Sequence, residues 1–141
     1  MMLAHTVANT TSGTNTRISN LQLPSEIDAA YAVYDNDTLA RLVALNMETS
    51  WSNATASRPS KTFTFRVPEQ FGAATVHRLA GPGADSKTNI TFGGVSYAYE
   101  LDGGRPVVVD SEARDERVTV ENGLVKVDLP ASSAVLLKLV K

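Results

Sequence analysis

The amino-acid sequence predicts an all-β domain, an antiparallel β-sandwich of about 8–10 strands with Greek-key connections. Three observations carry this reading. Short runs alternate apolar and polar residues, most clearly Thr62-Phe63-Thr64-Phe65-Arg66-Val67, which sets Phe63, Phe65 and Val67 on one face. Turn residues punctuate these runs roughly every eight to twelve positions. No run keeps a helical period over a helix's length.

The elements follow in order. Residues 3–8 read as a short strand within an N-terminal extension, 1–15, and the sandwich proper occupies 16–141. Thr16 to Leu23 alternates around Ile18, Leu21 and Leu23, with a break in phase near Asn20 that points to a bulge. The chain is organised around Ala29 to Trp51. Here a strand, Ala30 to Tyr34, meets a turn, Asp35-Asn36-Asp37, whose short side chains tolerate left-handed backbone. Leu39 to Met47 follows and is apolar on both faces, as expected of a central or doubly covered strand. Residues 52–61 form a loop. Ala74 to Ala80 is a strand closed by Gly81-Pro82-Gly83. Val95 to Leu101 reads as a strand ending at Asp102-Gly103-Gly104, and Val107 to Val109 as a short one. Asp110 to Arg117 is a charged loop or one helical turn. Val118 to Leu129 reads as a hairpin about Asn122-Gly123, the pair that supplies the positive φ values of a type I′ turn. Ala134 to Val140 closes the chain.

Composition narrows the function. The 141 residues make one domain, 43% hydrophobic and 20% charged, within the globular range. A net charge of −2 with singly scattered Lys and Arg gives no footprint for nucleic acid or an anionic membrane. No apolar run is long enough to span a bilayer. The absence of cysteine excludes disulfides and thiolate metal sites. Asn-x-Ser/Thr sequons stand at Asn9, Asn36, Asn53 and Asn89 and suggest a secretory-pathway protein with glycosylated loops. The first residues lack the charged and apolar regions of a signal peptide, so the expectation is a secreted or extracellular domain of a longer protein.

Catalysis needs tuned groups at defined separations, and the sequence offers few. His5 and His77 have no metal-binding spacing, and His77 reads as a strand residue. No nucleophile elbow, P-loop or dinucleotide fingerprint occurs. Seven glutamates are present, but they fall at strand ends and turns, as solvated charges do, and not as a carboxylate pair for glycoside hydrolysis. No catalytic residue, cofactor or metal is assigned. Trp51, Tyr97 and Tyr99 are the candidates for carbohydrate contact, although packing is the default role for aromatics in a sandwich this poor in them.

Three blocks carry a family resemblance. AYAVYDNDTLARLVALNM has a Tyr-rich strand (Tyr31, Tyr34), a polar turn and a strand ending in Leu45-Asn46. LAGPGADSKTNITFGGVSYAYELDGG places Ala84, Ser86, Ile90, Thr91, Phe92, Gly93 and Gly94 in a recognisable order. VKVDLPASSAVLLKL is a less specific ending. Over residues 16 to 141 the chain resembles the C-terminal domain of glycoside hydrolase family 79, the fungal β-glucuronidase-like enzymes. The resemblance implies a non-catalytic sandwich beside a (β/α)8 barrel that bears the acid/base and nucleophile glutamates. Such a barrel needs roughly 250 residues, so those roles have no positions here. It also implies a sandwich that borrows a strand from the segment before the barrel. Either residues 3–8 fill that gap or an open edge invites self-association. The expected partner is the glycosidase barrel, in the same chain or another; the alternative is a stand-alone carbohydrate-binding module.

Overall fold

The structure is a computed structural model and describes residues 15–141. It is an all-β sandwich of two unequal antiparallel sheets. The strands are β1 (Thr16–Leu21), β2 (Asp28–Asp35), β3 (Thr38–Asn46), β4 (Ser60–Arg66), β5 (Ala73–Ala80), β6 (Thr91–Phe92), β7 (Val95–Ser96), β8 (Val107–Val108), β9 (Arg117–Thr119), β10 (Leu124–Pro130) and β11 (Ser133–Val140). Two helical turns, α1 (Tyr99–Asp102) and α2 (Ser111–Arg114), flank β8. The large sheet runs β1-β2-β3-β11-β5-β6-β7-β8, with β9 also paired to β5; the small sheet is β10-β4.

Turn chemistry sets the first hairpin. Asn36 and Asp37 take φ values of 49° and 64°, and β2 then pairs with β3. The irregularity in this part of the sheet falls between Val33 and Tyr34, where the β2–β3 register shifts. β1 pairs with β2 without interruption through Asn20, so the bulge expected near Asn20 is absent. β3 sits between β2 and β11, and Arg41, Leu42, Val43 and Ala44 are buried in succession. Its two apolar faces are thus explained by burial on both sides.

The main core lies between the sheets. Phe63 and Phe65 of β4 and Val125, Val127 and Leu129 of β10 pack on small or branched residues of the large sheet, among them Ala30, Ala32, Ala44 and Ala74. Alanines opposite phenylalanines let the layers approach closely at native packing density. A second cluster, Val33, Val43, Leu136 and Phe92, lies on the other face of the large sheet, joined by Tyr31, Leu45 and Leu79.

Two expected strands differ. Val95 to Leu101 is paired as a strand only over β7, and the chain then turns into α1, which Gly103 closes with φ 57° and its N–H on the Tyr99 carbonyl. Asn122 and Gly123 do adopt the paired positive φ values of a tight turn. Their flanking strands nevertheless part: β9 joins β5 and β10 joins β4, with only a Glu121–Leu124 bridge at the turn. The turn links the two sheets. The expected strand at 3–8 and the sequon at Asn9 lie outside the described residues.

Polar contacts lock the junction of the sheets. Asn46, 1% exposed, donates from Nδ2 to the Leu129 carbonyl at 2.9 Å and accepts from the Glu48 N–H. Replacing Asn46 by Ala leaves that buried carbonyl without its donor and costs about 1–3 kcal/mol. Truncating the fully buried Leu129 to Ala costs about 2–5 kcal/mol. Urea unfolding followed by circular dichroism measures both; an Asn46→Ala chain as stable as wild type contradicts the locking role.

Candidate interaction surfaces

Two features stand out on the surface. The first is a groove of about 430 Å³ along β4. Among the described residues β4 pairs with β10 only, so its other edge presents backbone donors and acceptors that no described strand takes up. Leu21, Leu23, Tyr34 and Leu39 line the groove from one side, and Phe63 and Phe65 from β4. Lys61 bonds Asp28 across it and also reaches Glu48 at 3.4 Å. Its ammonium feels opposing influences: burial lowers its pKa, while Asp28 and Glu48 outweigh that and raise it.

The second feature is built from residues 81–116, which connect β5 to β9. This segment adds a single buried hydrophobic, Phe92, to the core. Polar and backbone contacts hold it instead. The Gly93 N–H bonds the Arg78 carbonyl, and the Val109 and Asp110 N–H groups converge on the Gly94 carbonyl. The buried Ser96 hydroxyl accepts from the Ala98 N–H, and the Asp110 carboxylate caps α2 through the Ala113 N–H. Gly94 has φ 71°, and a Cβ there would fall 2.0 Å from the Asp110 carbonyl oxygen. On this frame lies a depression of about 760 Å³ lined by Lys87, Asn89, Thr91, Tyr99, Leu101 and Val109.

The carbohydrate candidates separate. Trp51, Tyr97 and Tyr99 are 57%, 43% and 79% exposed, so none is a core residue. Tyr31 and Tyr34, in contrast, pack on the two clusters. Tyr99 lines the depression, whereas Trp51 stands on another loop, fixed where Ser52 bonds Asp85 through its N–H and hydroxyl. These donors hold the Asp85 carboxyl below its usual pKa, the Ser52 backbone bond contributing most. Asn36, Asn53 and Asn89 are exposed, Asn36 and Asn89 in left-handed turns.

Sequence patterning missed two side chains that matter. Arg58 donates to the Ala131, Gly81 and Ser132 carbonyls at 2.7, 2.8 and 3.0 Å, pinning the β10–β11 turn to two loops. Arg78 forks onto Glu116, with Nη2 to Oε1 at 2.8 Å. Both sit among loop or strand residues whose partners are remote in sequence. Among the described residues no group of three or more His, Cys, Asp and Glu could hold a metal ion. No helix there is long and apolar enough to cross a membrane.

The fold and these surfaces define a sandwich of the glycosidase-associated kind, and residues 30–136 match the glycosyl hydrolase family 79 C-terminal beta domain. The chain belongs to that family. It is 37% identical over 139 residues to a β-glucuronidase of Aspergillus niger, covering 90% of this chain and 26% of the relative. A β-glucuronidase of Neurospora crassa is 36% identical over 120 residues, 67% of this chain and 21% of the relative. Among solved structures, a 4-O-α-L-rhamnosyl-β-D-glucuronidase from Fusarium oxysporum superposes with a TM-score of 0.67 at 26% identity, over 86% of this chain and 26% of that one. The chain therefore spans about a quarter of the length of the relatives it matches.

His77 supplies a pH test of the second face. It stacks on Phe92 with centroids 5.9 Å apart, and burial, then the charge of Lys138, lowers its pKa below 6.5. Arg41, beside Lys138 in register, its ion-pair partner Asp35, and Arg117, opposite Thr75 on β9, lie on the same face. A base with a lowered folded pKa takes up its proton more readily when unfolded. Stability therefore falls as pH drops through 6.5 and levels off below the folded pKa. Thermal midpoints of wild type and His77→Phe, compared from pH 7.5 to 5, are expected to diverge in that direction; parallel curves refute it. Gly94→Ala, forced into the Asp110 carbonyl, is expected to cost about 2–3 kcal/mol by denaturant titration.

Proposed function

We propose that this chain is a non-catalytic accessory domain that stabilises and docks on the catalytic (β/α)8 barrel of a family 79 glycoside hydrolase of the β-glucuronidase type. The observation that carries the proposal is the pairing of a C-terminal-domain match with a span of about a quarter of each relative. The open β4 edge and its apolar groove support it, because a sheet edge beside uncovered core calls for further chain to complete it. A secreted setting with glycosylated loops belongs to the same proposal, supported by the exposed Asn36, Asn53 and Asn89.

The test has two arms. The isolated chain is expected to show no turnover of an aryl β-D-glucuronide; turnover that co-purifies with it and disappears on mutating a single Glu overturns the reading. Grafted in place of the aligned segment of the Aspergillus niger β-glucuronidase, the chain is expected to give an active enzyme that unfolds in one calorimetric transition. An inactive graft whose parts unfold independently also counts against it.

A second reading, a stand-alone carbohydrate-binding module, draws on the exposure of Trp51, Tyr97 and Tyr99. It predicts a saturable change in Trp51 fluorescence on titration with an oligosaccharide panel, and a flat response removes it.

A further inference from the structure

We propose that the apolar surface of residues 90–109 is the face on which the catalytic domain docks, an assignment that rests on the accessory role above. Of the eleven exposed large hydrophobics among the described residues, six lie in this stretch: Ile90, Tyr97, Tyr99, Leu101, Val108 and Val109. Three of them, Tyr99, Leu101 and Val109, line one depression of about 760 Å³, and a concentration of uncovered apolar side chains of this kind marks an interaction site. Their residue types also fit an interface: a tyrosine pair with aliphatic neighbours gives rigid, partly polar anchors.

The energetics of the segment point the same way. Ordering backbone costs conformational entropy at every residue. Elsewhere in this chain the inter-sheet core offsets that cost, but residues 81–116 contribute a single buried hydrophobic, Phe92. They are held by a polar frame instead, with Gly94 under the Asp110 carbonyl, Ser96 under Ala98 and α2 capped by Asp110. A stiff frame that turns its apolar side chains outward is preorganised for a partner, since little ordering remains to be done on binding. The rim is polar, with Lys87, Glu100 and the Arg105–Asp102 pair.

The occupant follows from size. The relatives carry about three-quarters of their length outside the region this chain matches. The β4 groove is a slot suited to one extended segment. The depression on the 90–109 surface is larger, about 760 Å³ against 430 Å³, and suits a folded neighbour. A folded catalytic domain of that length is the body the family match supplies.

The experiment uses the graft into the Aspergillus niger β-glucuronidase. A triple variant, Tyr99→Ser/Leu101→Ser/Val109→Ser, is expected to split the single transition in two or lower its midpoint by more than about 5 °C. Ile18→Ser and Val140→Ser, exposed and apolar but outside the patch, are expected to leave it unchanged. In the isolated chain the triple variant should keep the wild-type midpoint, because these side chains are exposed there; a matching loss in the isolated chain assigns the effect to folding and overturns the proposal. A triple-variant graft as cooperative as its parent overturns the docking face and leaves the accessory role standing. A parent graft that never couples removes the accessory role and this inference with it.

Discussion

The sandwich depends on a polar junction where its two sheets exchange a strand. β10 ends in the small sheet, the chain turns at Pro130 to Ser133, and β11 enters the centre of the large sheet between β3 and β5. Three side chains hold that corner: Asn46 on the Leu129 carbonyl, Arg58 on three carbonyls, and Ser132 between the Ser50 N–H and the Glu48 carbonyl. Apolar burial is non-directional and cannot by itself set the angle or register of such a corner. Hydrogen bonds to otherwise orphaned carbonyls can, because each misplacement leaves a buried group unpaired. The position of β11, and through it the order of the large sheet, follows from this corner.

The large sheet has more strands than the small sheet can cover. Two strands, β10 and β4, face a sheet of nine, so the inner face is left partly open beside β4 and forms the groove. The outer face has its own cluster, in which Phe92 and His77 stack. The domain thus presents a free sheet edge and a segment that displays apolar side chains on a polar frame. Both features are costly in an isolated domain and ordinary in one that is covered by a larger neighbour. That shared logic links the fold to the proposed accessory role.

Much of the fold was legible because its signals are local. The alternation in Thr62 to Val67, the left-handed turn at Asn36-Asp37, the paired positive φ at Asn122-Gly123 and the two-faced apolarity of Leu39 to Met47 each depend on near neighbours. The errors share a cause as well. Tyr97 to Leu101 alternates like a strand, yet Gly103 offers a helical C-cap and the chain takes that turn. Val118 to Leu129 looks like a hairpin, yet β5 and β4 each compete for one arm. Trp51, Tyr97 and Tyr99 stand in the sequence as one set of carbohydrate candidates, yet Trp51 lies on a loop apart from the depression that Tyr99 lines.

The sequence by itself determined the class of fold, its turn positions, the inward face of Phe63, Phe65 and Val67 and the family, since these rest on side-chain period, backbone stereochemistry and ordered motifs. Only the tertiary structure decided which strand joins which sheet, the open edge of β4, the roles of Asn46 and Arg58, and the outward face of residues 90–109. Those outcomes depend on contacts between residues far apart in the chain. Pairing there is settled by competition for backbone hydrogen bonds and buried area, which no local pattern encodes.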